Sequence, residues 1–126
     1  MRLLLDTQAL LWWLNDDPRL GQTARALIAD TANAVLVSVA SFWELSIKSR
    51  IGKLDDAGSE VMREVQESRF EIVPIERVHL AMLESLEPVP GHKDPFDHLI
   101  LVQARERRAV LVTSDRHLRR YDVRCV

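Results

Sequence analysis

The residues Arg2-Leu3-Leu4-Leu5-Asp6 begin the chain with a short apolar run that ends in a carboxylate. A continuous apolar run of this length is typical of a strand that is buried on both faces, because a half-exposed strand would alternate apolar and polar residues. Runs of similar character follow at Ala34–Val37, Phe70–Val73 and Val110–Thr113, with Tyr121–Cys125 as a candidate fifth strand. The sequence therefore predicts four or five short strands.

Segments with the apolar spacing of helices separate these strands. They cover Thr7–Asn15, Gly21–Thr31, Ser38–Arg50, Asp55–Ser68, Arg77–Leu86, Pro95–Arg108 and, as a short helix, Ser114–Arg120, while Pro88–Lys93 is expected to be a loop. Strands that alternate with helices in this way form right-handed βαβ units and a parallel sheet. We therefore expect one α/β domain over residues 1–126, with three α/β/α layers and a central parallel sheet of four to five strands.

Length and composition limit the class of protein. With 126 residues, of which 47% are hydrophobic, the chain is able to bury a core and does not have the composition of a disordered protein. No apolar run approaches the roughly 20 residues of a membrane span, and Asp6 interrupts the first run too early for a signal peptide. We expect a cytoplasmic protein without membrane association. Cys125 is the single cysteine, which excludes an intrachain disulfide and a Cys-rich zinc site.

Charge is unevenly distributed along the chain. The 17 basic and 19 acidic residues give a net charge of −2, but residues 101–126 carry seven arginines against three acids. An arginine-rich end on an acidic body is compatible with phosphate binding. The more ordinary explanation is a solvated helix face.

Four carboxylates follow the predicted strands directly or lie in the first turns of the helices after them. They are Asp6, Glu44, Asp97 and Asp115. In a parallel α/β sheet, functional residues gather outside the carboxyl ends of the strands. The topology therefore predicts that this quartet converges at one edge of the sheet.

Each carboxylate also has a structural explanation. Asp6 and Asp115 are candidate helix N-caps. Ser41–Glu44 and Asp94–Asp97 match the form of a capping box, although Ser41 lies inside a segment that is already helical from Ser38. Caps need not converge, whereas convergent carboxylates repel one another unless a cation lies between them. Oxygen-only ligands favour Mg²⁺ or Mn²⁺ over zinc, and such ions promote phosphodiester hydrolysis by activating water.

Three polar residues flank the expected pocket. Thr7 and Thr113 flank Asp6 and Asp115, where their hydroxyls would either orient ligands and water or cap turns. Lys48 lies one helical turn after Glu44, so it would contact phosphate or, more simply, form a salt bridge with that carboxylate. Both alternatives stay open for each residue.

The segments that carry these residues resemble the PIN-domain nuclease family, and within it the VapC-like toxins of bacterial toxin–antitoxin pairs. The matching pieces are Leu4-Leu5-Asp6-Thr7, Ser41-Phe42-Trp43-Glu44 with Lys48 and Gly52-Lys53-Leu54, Asp94-Pro95-Phe96-Asp97 with Gln103-Ala104, and Leu111-Val112-Thr113-Ser114-Asp115. The resemblance implies an acidic metal pocket whose ligands are the quartet, with Thr7 and Thr113 at the hydroxyl positions. It also implies an Mg²⁺- or Mn²⁺-dependent endoribonuclease that acts on RNA, a small cognate antitoxin that blocks it, and a homodimer.

Several positions depart from the common family pattern or add to it. Gln8 is found where close relatives often have His, and His98 where they often have Arg. Asp94 is an additional carboxylate whose spacing makes it a better helix cap than metal ligand. These differences concern contacts with substrate more than the class of reaction.

Other aromatic and titratable residues are expected to have structural roles. Trp13 is predicted to be in the core and Trp12 to be partly exposed, and Cys125 is predicted to be a small apolar residue of the last strand. No zinc-ligand spacing relates the histidines, which are therefore expected to be structural or exposed: His79, His92, His98 and His117.

Two other functions are compatible with a similar sheet. A receiver-like phosphoacceptor domain also binds Mg²⁺ at its strand ends, but the third predicted strand ends Ile72-Val73-Pro74 without an acceptor aspartate. A catalytically silent PIN-like binding module is the second alternative, although such a module has no need of a complete quartet of carboxylates.

Overall fold

A computed structural model describes residues 1–52 and 57–126 of the chain. Within them, one parallel sheet contains β1 (Arg2–Leu5), β2 (Ala34–Ser38), β3 (Glu71–Val73) and β4 (Val110–Val112), in the order β3-β2-β1-β4. The helices are α1 (Thr7–Leu14), α2 (Gln22–Ala29), α3 (Val39–Arg50), α4 (Gly58–Gln66), α5 (Arg77–Glu84) and α6 (Pro95–Arg107). They cover both faces of the sheet, so the predicted three-layer α/β/α fold is confirmed.

The leucine run of β1 forms the centre of the molecule. Leu4 pairs with Leu36 of β2 on one side and with Leu111 of β4 on the other. Leu3 and Leu5 contribute to a core with α1, α2 and α4, while Leu4 contributes to a second core with α6. All three leucines of β1 are fully buried, because alternate side chains of a central strand point to opposite faces and both faces are covered.

Polar side chains determine where the helices next to the sheet begin. The Ser38 hydroxyl accepts the N–H of Ala40 and caps α3, so Ser41 lies inside this helix, as the sequence indicated. The Asp94 carboxylate accepts the N–H groups of Phe96 and Asp97 and caps α6. Each cap satisfies backbone donors that have no partner within their own helix.

The C-terminal segment differs from its prediction. Ser114–Arg120 is expected to be a helix, but only Leu118–Arg120 forms a single 3₁₀ turn. The Asp115 carboxylate accepts the N–H of His117, and such a local side-chain bond offers the backbone an alternative to the helix. Tyr121–Cys125 does not form a regular strand, because its only ladder pairing among the described residues is one parallel bridge from Cys125 to Leu111.

The other predicted elements are present, and their ends lie within two residues of the prediction, except that the helix expected from Asp55 begins at Gly58. The predicted start at Asp55 and the pair Lys53-Leu54 lie outside the described residues. Trp12 and Trp13 are both partly buried against the core on the α1 side, so Trp13 is less enclosed than predicted. Cys125 is partly buried and packs against the other core.

The strand order bears on one alternative function. Receiver domains have the flavodoxin-like order 2-1-3-4-5. Here β1 lies between β2 and β4, and β3 is at the edge. The receiver alternative therefore does not fit this topology.

Across the described ranges, every helix falls short of the length and apolar character that a membrane crossing requires.

Candidate metal centre

A cavity of about 390 Å³ lies at the edge of the sheet where β1 and β4 end. Its walls are formed by Asp6, Thr7, Gln8, Leu11, Glu44, Leu45, Lys48, Asp94, Asp97, Ser114 and Asp115. The whole predicted quartet therefore reaches one cavity, together with Thr7, Lys48 and Asp94. Thr113 is buried next to this wall and does not line it.

Asp6 combines a structural role with a place in the cavity. One of its carboxylate oxygens accepts the N–H of Ala9 at 2.8 Å and caps α1. Burial raises the pKa of Asp6, and the charges of Asp115 and Glu44 raise it further, while the Thr113 hydroxyl and the Ala9 N–H lower it. The cap interpretation and the pocket interpretation of Asp6 are therefore compatible.

Asp115 is fixed by a local turn and does not cap a helix. Its Oδ1 accepts the N–H of His117 at 2.7 Å and lies 3.4 Å from Nδ1 of the same residue. The Asp115 N–H in turn donates to the Thr113 hydroxyl at 2.9 Å. Thr113 thus holds the backbone of one carboxylate residue and interacts with the side chain of another, Asp6.

Glu44 projects from the second turn of α3 and pairs with Lys48. The Lys48 ammonium lies 2.9 Å from Glu44 Oε2, so the salt-bridge alternative for Lys48 is present in the structure. Thr7 connects two walls of the cavity, because its hydroxyl donates to the Ser41 hydroxyl at 3.0 Å. Helices α1 and α3 are thereby tied together beside the carboxylates.

Asp97 lies in the first turn of α6 but does not complete a capping box. Its Oδ2 lies within hydrogen-bond distance of His92 Nε2, at 3.1 Å, and Asp94 alone caps this helix. Burial is the main cause that raises the pKa of Asp97 to about 6, and the charges of Asp94 and Asp115 raise it as well, whereas His92 lowers it.

Histidines surround the Asp97 side of the site. The ring of His92 is buried, lies edge-to-face with His98 at 4.8 Å and is stacked on His117 at 5.5 Å. Its Nδ1 is 2.9 Å from the hydroxyl of Tyr121. The sequence prediction of structural or surface histidines misses this cluster, since its members approach one another only through the fold and have no metal-ligand spacing.

No three residues of the quartet have ligand oxygens that all lie within 4.8 Å of one another. Among the described residues, one trio has possible ligand atoms within 4.8 Å of one another, and it is Glu76, His79 and Glu106, away from the cavity. His79 Nδ1 accepts the N–H of Glu76 at 3.0 Å, and its Nε2 bonds to Glu106 at 2.8 Å. Both ring nitrogens are therefore occupied, and no lone pair of His79 remains for a metal.

The cavity fits a hard divalent cation by the chemistry of its donors. Its described walls offer carboxylate, amide and hydroxyl oxygens and one ammonium group, and no imidazole or thiol. Mg²⁺ and Mn²⁺ prefer such oxygen ligands, whereas zinc and softer metals prefer nitrogen and sulfur. The raised pKa values of Asp6 and Asp97 reflect the burial of like charges, which a bound cation would offset.

Residues 3–124 match the PIN domain family. The chain belongs to this family, whose members are generally nucleases. No curated protein is significantly similar to the chain.

Solved structures with the same fold include two VapBC structures. VapBC2 from Rickettsia felis, bound to a DNA fragment from their promoter, has a TM-score of 0.69 and 20% identity, covering 100% of this chain and 98% of that chain. VapBC-1 from nontypeable Haemophilus influenzae has a TM-score of 0.67 and 18% identity, covering 100% and 97%. The PIN domain endonuclease Utp24 has a TM-score of 0.52 and 17% identity, covering 94% and 74%. At these identities the similarity shows the fold.

Proposed function

We propose that this chain is an Mg²⁺- or Mn²⁺-dependent endoribonuclease and the toxin of a toxin–antitoxin pair. The observation that carries the proposal is the convergence of the quartet on one cavity in a member of a family of nucleases. The endonuclease named among its structural neighbours supports the reaction class. The VapBC structures support the toxin assignment.

Asp6, Glu44, Asp97 and Asp115 would hold the metal ion. When bound, the ion would lower the pKa of the attacking water and offset the charge of the scissile phosphate. The four carboxylates place negative charges close together in a partly buried cavity. Water and protein dipoles alone solvate these charges poorly. Glu44 and Asp6 are nearly fully buried, so their charges are the least screened by solvent.

The remaining polar residues of the cavity act on substrate or on the ligands. Lys48 is the one basic residue among the described lining residues, and its ammonium would contact a phosphate oxygen. Thr113 positions the backbone of Asp115, and Thr7 holds α1 against α3 through Ser41. Gln8 lines the cavity and is exposed, which suits a contact with the nucleotides beside the cleaved bond.

Cleavage by purified protein tests the proposal. We expect a labelled single-stranded RNA to be cut with Mg²⁺ or Mn²⁺, to remain intact with EDTA, and to be cut much more slowly by Asp6→Asn. Asp122→Asn is the matched control, because Asp122 is exposed and lines a different cavity. Cleavage by Asp6→Asn at the wild-type rate would show that the mechanism is wrong. Cleavage of DNA but not RNA of the same sequence would overturn the substrate class, and Mn²⁺ binding without cleavage would favour a silent binding module.

A small antitoxin and a second copy of the chain are the proposed protein partners. The VapBC proteins are pairs by name, which supports a small protein partner for this chain. Co-expression with the small neighbouring reading frame should yield a stable complex that no longer cuts RNA. Light scattering of the isolated chain should give twice the mass of one chain. If the chain is an active monomer and does not bind the protein encoded by the neighbouring reading frame, both the homodimer and the antitoxin partner are contradicted. We also propose a cytoplasmic location, as the sequence led us to expect.

A further inference from the structure

We propose that His92 is a positioning residue, which holds the Asp97 carboxylate in the orientation needed to bind the metal ion. This inference rests on the proposed function. It goes beyond the quartet, because His92 does not line the cavity and acts on it only through Asp97.

A chain of three hydrogen bonds leads from the backbone to Asp97. The N–H of Val89 donates to the hydroxyl oxygen of Tyr121 at 3.0 Å. The same hydroxyl lies 2.9 Å from Nδ1 of His92, and Nε2 of His92 lies 3.1 Å from Oδ2 of Asp97. The chain therefore ties a loop, the C-terminal segment and α6 to one carboxylate oxygen.

The partners determine which ring nitrogen of His92 carries the proton. An ionised Asp97 carboxylate only accepts, so Nε2 must be the donor in that bond. In the neutral ring Nδ1 is then an acceptor, and the Tyr121 hydroxyl supplies its single hydrogen. The Val89 N–H occupies one lone pair of that hydroxyl oxygen, which directs the hydroxyl hydrogen away from Val89 and toward the ring.

Packing prevents the His92 ring from leaving this position. The side chain is 4% exposed, with His98 against its edge and His117 parallel to its face. His98 Nε2 also lies 3.1 Å from the backbone carbonyl of His92, so the backbone is held as well as the ring. Because the His92 ring is fixed by its neighbours, its hydrogen bond fixes the orientation of the Asp97 carboxylate. A flexible side chain in the same place would not do so.

The position of Asp97 makes such an orienting bond useful. Its Oδ2 is engaged by His92, so the ring helps to fix the plane of the carboxylate that would bind the ion. Hydrogen bonds to metal-ligating carboxylates fix their orientation, and removing such a partner typically costs about 10–100-fold in metal affinity.

A second buried histidine provides a matched control. His79 is fully buried and bonds to Glu106 at 2.8 Å, as His92 bonds to Asp97, but Glu106, unlike Asp97, does not line the cavity. Loss of either histidine removes a buried donor and should lower thermal stability. Only the loss of His92 should change the affinity for metal.

Mn²⁺ binding measured by isothermal titration calorimetry, without RNA, tests the proposal. We expect His92→Leu to weaken the affinity about 10–100-fold and His79→Leu to leave it unchanged. His92→Gln, whose amide N–H reaches close to the position of Nε2, should recover most of the affinity. Long-range ¹H–¹⁵N spectra of the folded wild type should show His92 protonated at Nε2.

The outcomes separate this inference from the proposed function. Failure of the wild-type protein to bind Mn²⁺, or binding by Asp6→Asn equal to wild type, would refute the proposed metal centre. Wild-type affinity in folded His92→Leu, equal weakening by His79→Leu, or a ring protonated only at Nδ1 would overturn the role of His92. If His92→Leu does not fold, the comparison of His92→Gln with His92→Asn, whose shorter amide does not reach Asp97, decides the question by the same titration.

Discussion

The ammonium nitrogen of Lys48 lies 2.9 Å from Oε2 of Glu44, one turn away on α3. The Glu44 side chain is 10% exposed and that of Lys48 is 43% exposed, so the pair joins a buried acid to a base that faces solvent. A cation bound by Glu44 would compete with this ammonium for the same carboxylate. Lys48 therefore limits the affinity of the proposed site while it offers a positive charge to substrate.

Substitution Lys48→Met should tighten Mn²⁺ binding about twofold, because an i,i+4 helix pair contributes about 0.3–0.5 kcal/mol. The same variant should raise KM for RNA, since the positive charge that contacts phosphate is lost. Calorimetric titration and steady-state cleavage measure the two effects. Arg50→Met, at an exposed position of the same helix, serves as the control. A Lys48→Met variant that binds Mn²⁺ more weakly than wild type would show that Lys48 supports the site.

The stability of the metal-free protein should depend on the ionisation of Asp97. Its pKa of about 6 in the folded protein lies above the ordinary value of 3.8 that applies to the unfolded chain. The stability contributed by this group is then fully present below about pH 3.8 and is lost as the pH rises through about 6. Asp97→Asn cannot ionise, so its Tm relative to wild type should increase between pH 4 and pH 7 in EDTA. A pH-independent difference in Tm would contradict the raised pKa.

Added Mn²⁺ should stabilise the protein more at pH 7 than at pH 5. Protons compete with the ion for Asp6 and Asp97, because burial raises the pKa of both carboxyls. Thermal unfolding with and without millimolar Mn²⁺ at each pH gives the comparison. Asp6→Asn should lose most of the shift at pH 7, whereas Asp122→Asn should keep it. An equal shift at both pH values would argue against binding through these two groups.

Replacement of Asp94 should affect stability more than metal binding. Its carboxylate accepts two N–H groups at the start of α6, and loss of such a cap typically costs about 1 kcal/mol. Urea unfolding of Asp94→Ala should show this loss, and Asp94→Ser should restore most of it. Mn²⁺ affinity should change far less than in Asp97→Asn. If Asp94→Ala lost metal affinity as strongly as Asp97→Asn, Asp94 would be a ligand.

The close contact of α4 with α3 should not tolerate a side chain at Gly58. A Cβ at this position would overlap the carbonyl oxygen of Phe42 and the hydroxyl of Ser46. Since backbone atoms cannot move aside easily, Gly58→Ala should destabilise the protein by about 1–3 kcal/mol. Urea unfolding measures the loss, with Ser59→Ala at the next, exposed residue as the control. Wild-type stability of Gly58→Ala would show that α4 is able to shift without cost.

The fold follows from local patterns to a large extent. The four apolar runs form the four strands, because a parallel strand that is covered on both faces needs apolar residues along its whole length. The convergence of the quartet also follows from topology, since Asp6 and Asp115 come after paired strands and Asp97 lies in the first turn of a helix that begins at the same edge. The roles of these residues remain predictions.

Contacts between particular side chains could not be predicted from the spacing of apolar and polar residues. Ser114–Arg120 has helical spacing, yet the bond from Asp115 to His117 forms a turn instead. Asp94–Asp97 has the form of a capping box, but Asp97 bonds to His92. Tyr121 reaches His92 across 29 positions of sequence, and no periodicity reports such a contact.

The pairing of β1 with β4 joins nearly opposite ends of the chain. Three of the quartet residues, Asp6, Glu44 and Asp97, are made before β4 exists, and Asp115 follows it. During synthesis, the carboxylates therefore cannot be gathered until β4 has left the ribosome and docked beside β1. The proposed nuclease should stay inert while only the segments before β4 have emerged, and a partner that recognises the folded pocket has its target only after Asp115 has left the ribosome.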